Sequence, residues 1–253
     1  MTTPKPFALF SIFLLTFVGC ATRGPMHLYS ATHGEEPVRD RALESGAHDE
    51  LVGFLEPEDR VIGLGYEFNT DYIWLRLAPG NRLITIKRGI RELWYNYDLP
   101  DQFLMPDGQA GDLAVRSFNR MVYVVMAEDG MVGKVERYGK VEEVIRPGGS
   151  DRIVGGLAWD QVNDLLLVLY ADDVPEVVIY DNDLEEVARV AFDVATQPTT
   201  LAFDSNRQRY FVPLAEAGWL GEFDAQGRLI ERHPFPDPTA SIDAGQRSAV
   251  RMF

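Results

Sequence analysis

Four charged residues recur at the same position in four similar stretches of the chain. They are Glu67, Arg116, Asp160 and Asp204, and each stands between a short apolar run and a polar turn. If the fold gathers them around one axis, the carboxylate oxygens could hold a hard cation such as Ca²⁺, and Arg116 could neutralise part of the ring. The alternative is that each Asp starts a turn by accepting hydrogen bonds from the backbone amides ahead of it. The four residues are therefore candidates for a binding site, with turn formation as the competing explanation.

The stretches that carry these residues are copies of one repeat. Three copies begin at Asp112, Gly156 and Thr200, so that successive starts are 44 residues apart, and a fourth copy begins at Gly63. A repeat of about 40 to 45 residues is typical of proteins built from blades of short strands. Equivalent positions in such a repeat lie in a ring around one axis, which is why the four charged residues belong together.

Each copy contains four predicted strands. In the copy that starts at Gly156, apolar or alternating runs recur about every 8 to 12 residues and are separated by turn residues. The runs cover residues 156–159, 165–170, 176–180 and 187–192. They are rich in β-branched and aromatic residues and are too short for helices, which excludes a helical repeat. The pattern predicts an all-β fold, a β-propeller in which each copy forms one blade.

The two ends of the chain decide the number of blades. The four copies span residues 63–236, residues 246–253 lie one period further on, and residues 50–56 form a strand-like run before the first copy. A closed ring leaves few exposed strand edges. We therefore predict five blades, the fifth being a composite blade built from both termini, and a propeller domain at residues 50–253. Rings of four or six blades are the alternatives.

The start of the chain has the features of an export signal. One charge, Lys5, precedes an apolar run at Phe7–Val18, which is too short to cross a hydrocarbon core of about 30 Å. The run ends at Cys20, the one cysteine of the chain. Residues 1–19 are therefore predicted to be a signal peptide. Residues 20–49, which are polar and broken by Gly and Pro, are predicted to be a mostly flexible tether with one short strand at residues 26–30.

The sequence Phe17-Val18-Gly19-Cys20 resembles the lipobox of bacterial lipoproteins, although Phe17 stands where that family usually has Leu. The resemblance implies that Cys20 is modified by fatty acids such as palmitate and holds the protein at a membrane. Ala21 follows the cysteine where an Asp would favour the inner membrane, so the resemblance implies the periplasmic side of the outer membrane. The alternative is an ordinary signal peptide with an incidental cysteine.

Composition disfavours several classes of function. A formal net charge of −15 repels the phosphates of nucleic acids. With Cys20 modified, no thiol remains for a disulfide or a nucleophile. His27, His33 and His48 lie in the predicted tether, which leaves His233 alone in the repeats and excludes a histidine-rich metal site there. The motifs of serine hydrolases, zinc proteases and phosphate-binding loops are missing. A function without catalysis is therefore favoured.

The motif Leu201-Ala-Phe-Asp-Ser-Asn-Arg-Gln-Arg-Tyr-Phe-Val and its counterparts over residues 63–236 resemble bacterial propellers of the broad YVTN, NHL and SMP-30-like type. The resemblance implies the propeller fold and is weak evidence for activity. Lactonase-type members of this group bind calcium through Glu, Asn and Asp. A calcium-dependent hydrolase or lactonase with its site in the central channel is therefore the alternative function, and no other cofactor is expected.

The favoured function is a non-catalytic, lipid-anchored scaffold that binds a protein or another ligand. The loops expected at the end opposite the charged ring are acidic, which suits a protein partner with a basic surface. Their acidic residues are Glu128, Asp129, Asp172, Asp173, Glu176 and Glu216. A third hypothesis is a carbohydrate-binding domain, in which Trp94 and the aromatic residues beside it stack on a sugar ring.

Overall fold

The strands form five antiparallel sheets arranged in a closed ring. The computed structural model describes residues 26–32, 36–109, 111–149, 151–235 and 240–246. Within these ranges the chain has 20 strands, four in each sheet, and no α-helix. The innermost strands of neighbouring sheets contact one another all the way round the ring. The all-β class, the β-propeller and the count of five blades are therefore confirmed.

Each blade is described from the central channel outward. The closing blade contains β20 (Ser241–Gln246), β1 (Met26–Ala31), β2 (Val38–Ala42) and β3 (His48–Leu51). Blade 2 contains β4 (Arg60–Glu67), β5 (Tyr72–Ala78), β6 (Arg82–Lys87) and β7 (Glu92–Asp98). Blade 3 contains β8 (Leu113–Arg116), β9 (Met121–Val125), β10 (Val132–Glu136) and β11 (Val141–Ile145). Blade 4 contains β12 (Val154–Asp160), β13 (Leu165–Tyr170), β14 (Glu176–Tyr180) and β15 (Glu186–Ala191). Blade 5 contains β16 (Ala202–Asp204), β17 (Arg209–Pro213), β18 (Trp219–Phe223) and β19 (Leu229–Pro234).

Two short 3₁₀ turns, Asp101–Phe103 and Pro147–Gly149, lie between blades. Phe103 is fully buried and caps the core between blades 2 and 3. Nowhere in the described ranges is there a helix with the length and apolar character to span a membrane.

The inner strands of each blade are apolar because neighbouring blades cover both of their faces. In blade 4, β12 is buried along its whole length and β13 nearly so, whereas β15 at the outer edge is mostly exposed. Glycine is required where inner strands approach one another most closely. A Cβ on Gly156 would lie 2.7 Å from the nitrogen of Leu201, and a Cβ on Gly63 would lie 2.6 Å from the oxygen of Gly111.

The composite blade closes the ring as predicted, but the N-terminal chain contributes more of it than expected. The C-terminal strand β20 pairs with β1, β1 pairs with β2, and β3 completes the blade. The short strand predicted at residues 26–30 is β1, but the prediction of a flexible tether fails for residues 38–42, which form β2. The strand predicted at 50–56 is β3, which begins at His48 and ends at Leu51. The C-terminal strand, predicted at 246–253, is Ser241–Gln246. The predicted signal peptide at 1–19 and Cys20 lie outside the described residues.

The sequence resembles a linker between residues 26 and 51 because polar side chains hold these strands. In β2 burial alternates, and the buried carboxylate of Asp40 is hydrogen-bonded to the ring of His27 in β1. Arg88 of blade 2 lies 3.6 Å from the same carboxylate. Tyr29 stacks on Tyr66 of blade 2, with 4.5 Å between ring centroids. Buried polar pairs and one stacked pair therefore attach the N-terminal strands to the ring.

One buried carboxylate joins three blades across the channel. Asp112 directly precedes β8 of blade 3 and is fully buried. Its Oδ2 accepts hydrogen bonds from the amide of Leu157 in blade 4 (3.0 Å) and from the amide of Leu201 at the start of blade 5 (3.1 Å). An innermost strand has no neighbour on its channel side that could supply a carbonyl. A buried amide without an acceptor costs about 1 to 3 kcal/mol, so Asp112 removes two such costs.

Two further side chains continue this connection round the channel. The Oγ1 of Thr200 accepts a hydrogen bond from the amide of Ile242 (3.1 Å), which joins blade 5 to the closing blade. The Oδ2 of Asp243 accepts one from the amide of Tyr66 (2.6 Å), which joins the closing blade to blade 2. Polar side chains on the channel side therefore link blades 3, 4 and 5, the closing blade and blade 2.

Truncation distinguishes a structural N-terminal segment from a tether. A chain that starts at residue 50 lacks β1 to β3, so β20 loses its partner strand, and we expect the cooperative unfolding transition to disappear. A chain that starts at residue 25 keeps all 20 strands and should unfold cooperatively. Thermal denaturation followed by circular dichroism compares the two. Equal melting temperatures would show that residues 26–49 are dispensable and would contradict the closing blade.

Candidate functional site

The first two of the predicted ring residues point between blades rather than into the channel. The Oε1 of Glu67 accepts a hydrogen bond from Arg137 of blade 3 (2.5 Å), and its Oε2 accepts one from Trp74 (3.1 Å). Arg116 pairs with Asp164 of blade 4, with 2.8 Å between its Nε and the Oδ1. Both residues therefore form ion pairs that tie a blade to the next one.

The other two ring residues cap turns. The Oδ1 of Asp160 accepts a hydrogen bond from the amide of Val162 (2.9 Å), and its Oδ2 accepts one from the side chain of Gln208 in blade 5 (3.0 Å). The Oδ1 of Asp204 accepts bonds from the amides of Asn206 (2.9 Å) and Arg207 (3.0 Å), and burial raises the pKa of this carboxyl. The turn-forming alternative describes both aspartates.

The four predicted residues do not converge on a common ligand position. Glu67, Asp160 and Asp204 do not form a group with ligand oxygens within reach of one ion, judged over the residues that the structure describes. The structure instead brings together the residues that follow them by one position. Because successive side chains of a strand point to opposite sides, a shift of one residue exchanges the blade interface for the channel mouth.

The residues one position later form a chain of hydrogen bonds around the mouth of the channel. The mouth is the side of the propeller at which the carboxyl ends of the innermost strands lie. The amide of Phe68 donates to the Oγ of Ser117 (3.1 Å). The amide of Ser117 donates to the Oε1 of Gln161 (3.1 Å). The amide of Gln161 donates to the Oγ of Ser205 (2.9 Å). Each bond joins one blade to the next, from blade 2 to blade 5, and fixes the walls of the mouth.

These walls line a cavity of about 120 Å³ that opens at the mouth. Its walls are mostly apolar and aromatic, with a few amide and hydroxyl groups, which is the usual character of a ligand pocket. Asp243 is the one charged residue among the described residues that line it. The lining includes Met26, Tyr66, Phe68, Val115, Trp159, Gln161, Val162, Phe203, Ser205, Asn206, Asp243 and Gln246. No position of this lining was among the predicted site residues.

The carboxylates of Asp243 and Asp112 lie close enough along the channel to affect each other. Asp243 accepts hydrogen bonds from the amides of Tyr66 (2.6 Å) and Ala244 (2.8 Å), and burial raises its pKa to about 7. Burial also raises the pKa of Asp112 well above its usual range, and the charge of Asp243 adds to this shift. The cavity is therefore acidic at its base, and the charge there changes near neutral pH.

The rim of the mouth carries two exposed apolar side chains. Phe118, in the turn between β8 and β9, is 86% exposed, and Val162, in the turn between β12 and β13, is 51% exposed. Arg120 shares the turn with Phe118 and is exposed. Exposed apolar side chains beside an apolar cavity are typical of a contact surface.

Four of the six acidic side chains predicted at the opposite end are paired with arginines. Arg146 lies 3.0 Å from Glu128, Arg152 lies 2.8 Å from Glu176, and Arg152 also pairs with Asp172. At blade 5 the Glu216 carboxylate lies 2.5 Å from Arg232. Asp129 and Asp173 are exposed, with no ion pair to another described residue. The attraction for a basic partner is therefore weaker than the sequence suggested.

One group of three side chains in the described part of the chain could hold a metal ion. Glu222 of β18 lies opposite Glu231 of β19, and His233 lies on the same face, so that the ligand atoms are within 4.8 Å of one another. Carboxylates with an imidazole suit a divalent transition metal. Glu222 is already paired with His233 at 3.0 Å, and Arg209 lies 3.9 Å away.

Trp94, the residue singled out for sugar binding, is 47% exposed on β7. Its ring lies 6.2 Å from that of Tyr72 and 6.4 Å from that of Tyr95, and Lys87 stands over it at 5.1 Å. The ring therefore belongs to an aromatic cluster between blades 2 and 3, and Lys87 covers part of one face.

Known structures share the fold of this chain. No family model matches it, and no curated protein matches it. A chain from the crystal structure of a nidogen/laminin complex has a TM-score of 0.58 and 12% sequence identity, over 87% of this chain and 98% of that chain. A protein of unknown function from Bacteroides caccae has a TM-score of 0.51 and 13% identity, over 87% of this chain and 98% of that chain. At such identities the similarity shows the β-propeller fold alone.

Titration of Asp243 should make the stability of the protein depend on pH. Its pKa is higher in the folded chain than the value of about 3.9 expected in the unfolded chain. The folded state therefore binds this proton more tightly, and stability falls as the pH rises between about 4 and 7. Between about pH 5 and pH 8 we expect the free energy of unfolding to fall by about 2 to 3 kcal/mol more in the wild type than in Asp243→Asn.

Urea denaturation at several pH values measures this difference. The Asn side chain keeps one oxygen, which can accept the bond from Tyr66, whereas its amino group replaces the oxygen that accepts from Ala244. The variant therefore removes the titration and lowers the stability at every pH, so that only the pH dependence of the two proteins is compared. Asp173→Asn, an exposed substitution at the opposite end, should follow the wild type. Parallel curves for the wild type and Asp243→Asn would contradict a raised pKa at the base of the cavity.

Proposed function

We propose that the protein is a lipid-anchored extracytoplasmic propeller that binds a ligand at its channel mouth and does not catalyse a reaction. The observation that carries this proposal is the mouth cavity, a mostly apolar pocket with a fixed hydrogen-bonded wall and an exposed apolar rim. The propeller in the nidogen/laminin complex shows that this fold occurs in protein assemblies. That similarity supports a binding role in general and does not identify a partner.

The geometry of the predicted ring favours binding over hydrolysis. A calcium-dependent lactonase would need several oxygen ligands directed at one ion. Glu67 instead uses its oxygens for Arg137 and Trp74, and Asp160 and Asp204 use theirs largely for backbone amides. These carboxylates therefore have structural partners already, and the calcium-dependent enzyme remains the less supported alternative.

The proposed anchor is the lipid on Cys20, which places the protein at the periplasmic side of the outer membrane. The support is the lipobox-like sequence at the end of a short apolar run. The structure changes the length of the connection, because β1 begins at Met26. Five residues, 21–25, separate Cys20 from the propeller, in place of the tether of about 30 residues expected from composition.

A photoreactive residue placed at the rim tests the binding proposal. Incorporated in place of Val162, it should form an adduct with one component of the cell envelope after illumination of intact cells. The matched control replaces Val174, which is also exposed but lies in the turn between β13 and β14, at the opposite end of the same blade. No adduct at position 162, or equal yields at both positions, would contradict a ligand site at the mouth.

Substitution of Cys20 by Ser tests the anchor separately. We expect the wild type to fractionate with membranes and to carry the added mass of its lipid, whereas Cys20→Ser should be recovered in the soluble fraction. The propeller itself should be unaffected, which an unchanged melting temperature would show. Membrane fractionation of Cys20→Ser equal to that of the wild type would remove lipidation from the account.

A further inference from the structure

The start of the propeller and the mouth of its channel lie at the same end of the molecule. Met26, the first residue of β1, pairs with Gln246, the last residue of β20. Both residues line the mouth cavity. Because Cys20 is six residues before Met26, the proposed lipid is attached within about 21 Å of Met26 at the mouth. This position follows from β1 pairing antiparallel to the innermost strand of the closing blade.

We propose that the mouth end of the propeller rests on the bilayer surface, with Phe118 and Val162 entering its interfacial region. The proposal rests on the lipidation of Cys20. It adds an orientation and an immediate contact: the cavity opens toward lipid headgroups rather than toward the periplasm. The apolar rim around the cavity therefore contacts the membrane, and the ligand of the proposed function would enter the cavity from the lipid side.

Covalent geometry limits the orientations that the anchor permits. Six residue steps span at most about 21 Å when fully extended. The eight residues of β4 run from the opposite end of the channel to its mouth, and at about 3.3 Å per residue the strand is about 23 Å long before the turns at its two ends are added. An inverted propeller would hold Met26 at least this far from the membrane. The anchor therefore reaches the bilayer without being extended when the mouth end faces it, whereas the opposite end could face the bilayer only with the anchor fully stretched.

The exposed side chains at the mouth suit a bilayer interface. Phe118 is 86% exposed and Val162 is 51% exposed, and each stands in the turn after an innermost strand. Burial of apolar side chains in the interfacial region stabilises membrane contact, and it adds to the contribution of an acyl anchor. Exposed apolar side chains also occur at the opposite end, among them Val52, Ile153 and Val174, so the length of the anchor decides the orientation.

One exposed cation stands beside Phe118 at the mouth end. Arg120, in the same turn, has no ion pair with another described residue and could approach lipid phosphates. Exposed carboxylates without an ion pair in the described structure occur at both ends, Asp183 and Glu185 at the mouth end and Asp129 and Asp173 at the opposite end. With a net charge of −15 the whole protein does not adhere to such a surface by charge alone. The lipid on Cys20 and the turns that carry Phe118 and Val162 together determine the proposed contact with the bilayer.

Spin labels at the two ends test the orientation. The chain has one native cysteine, and in the lipidated protein it is blocked, so Phe118→Cys and Val174→Cys each introduce one thiol that accepts a nitroxide. Both positions are exposed, at 86% and 68%, and melting curves check that the labelled variants are folded. The lipidated proteins are reconstituted into vesicles of phosphatidylethanolamine and phosphatidylglycerol. Collision of each nitroxide with a water-soluble nickel chelate is then compared before and after reconstitution.

We expect the collision rate at position 118 to fall at least about threefold on reconstitution, because the interfacial region excludes the chelate, and the rate at position 174 to stay unchanged. Equal rates at both positions, or a fall at position 174 alone, would overturn the orientation. Flotation of the same vesicles separates this failure from failure of the anchor. Protein that floats with an accessible label at position 118 contradicts the orientation, whereas protein that does not float contradicts the lipidation.

Discussion

The buried carboxylate of Asp112 is the constraint on which the ring depends. A closed propeller leaves the channel side of its innermost strands without a neighbouring strand, so some backbone amides there need acceptors from side chains. Asp112 serves the amides of Leu157 and Leu201, in two blades other than its own. Thr200 and Asp243 do the same for the closing blade and blade 2. The cost of these bonds is the burial of carboxylates, which appears as the raised pKa values of Asp112 and Asp243.

This way of closing the ring also determines where ligands and membrane can meet the protein. The C-terminal chain supplies the innermost strand of the closing blade, and the N-terminal chain must therefore enter beside it, at the mouth. The mouth then combines the start of the domain, the cavity above Asp243 and the exposed Phe118. The acidic loops lie at the other end, where arginines neutralise most of them. The strand order of the closing blade thus decides which end of the propeller is proposed to face the membrane and which end is proposed to face the periplasm.

The sequence was sufficient for the architecture but not for the site. The 44-residue period and the apolar runs identify the blades, because every blade needs apolar inner strands of its own that become buried on folding. The two unassigned ends of the chain predicted the composite blade. The polar strands β1 to β3 could not be predicted in the same way, because Asp40 is buried only through pairing with His27 and Arg88. The four predicted ring residues contact neighbouring blades or cap turns, whereas the residues one position later surround the mouth, a difference of one residue that composition does not reveal. Asp112 begins a copy where others have Gly or Thr, and its role depends on amides in other blades that no local pattern reveals.

Amide hydrogen exchange at Leu157 and Leu201 tests this closure most directly. If the Asp112 carboxylate holds these channel-side amides, both should exchange in the wild type only through global unfolding, as slowly as the core amides of β13. In Asp112→Ala the two amides lose their acceptor, and we expect their exchange to accelerate at least about tenfold relative to that of the β13 amides. Exchange of Leu157 and Leu201 at the rate of exposed turn amides in the wild type, or equal protection in Asp112→Ala, would contradict the account.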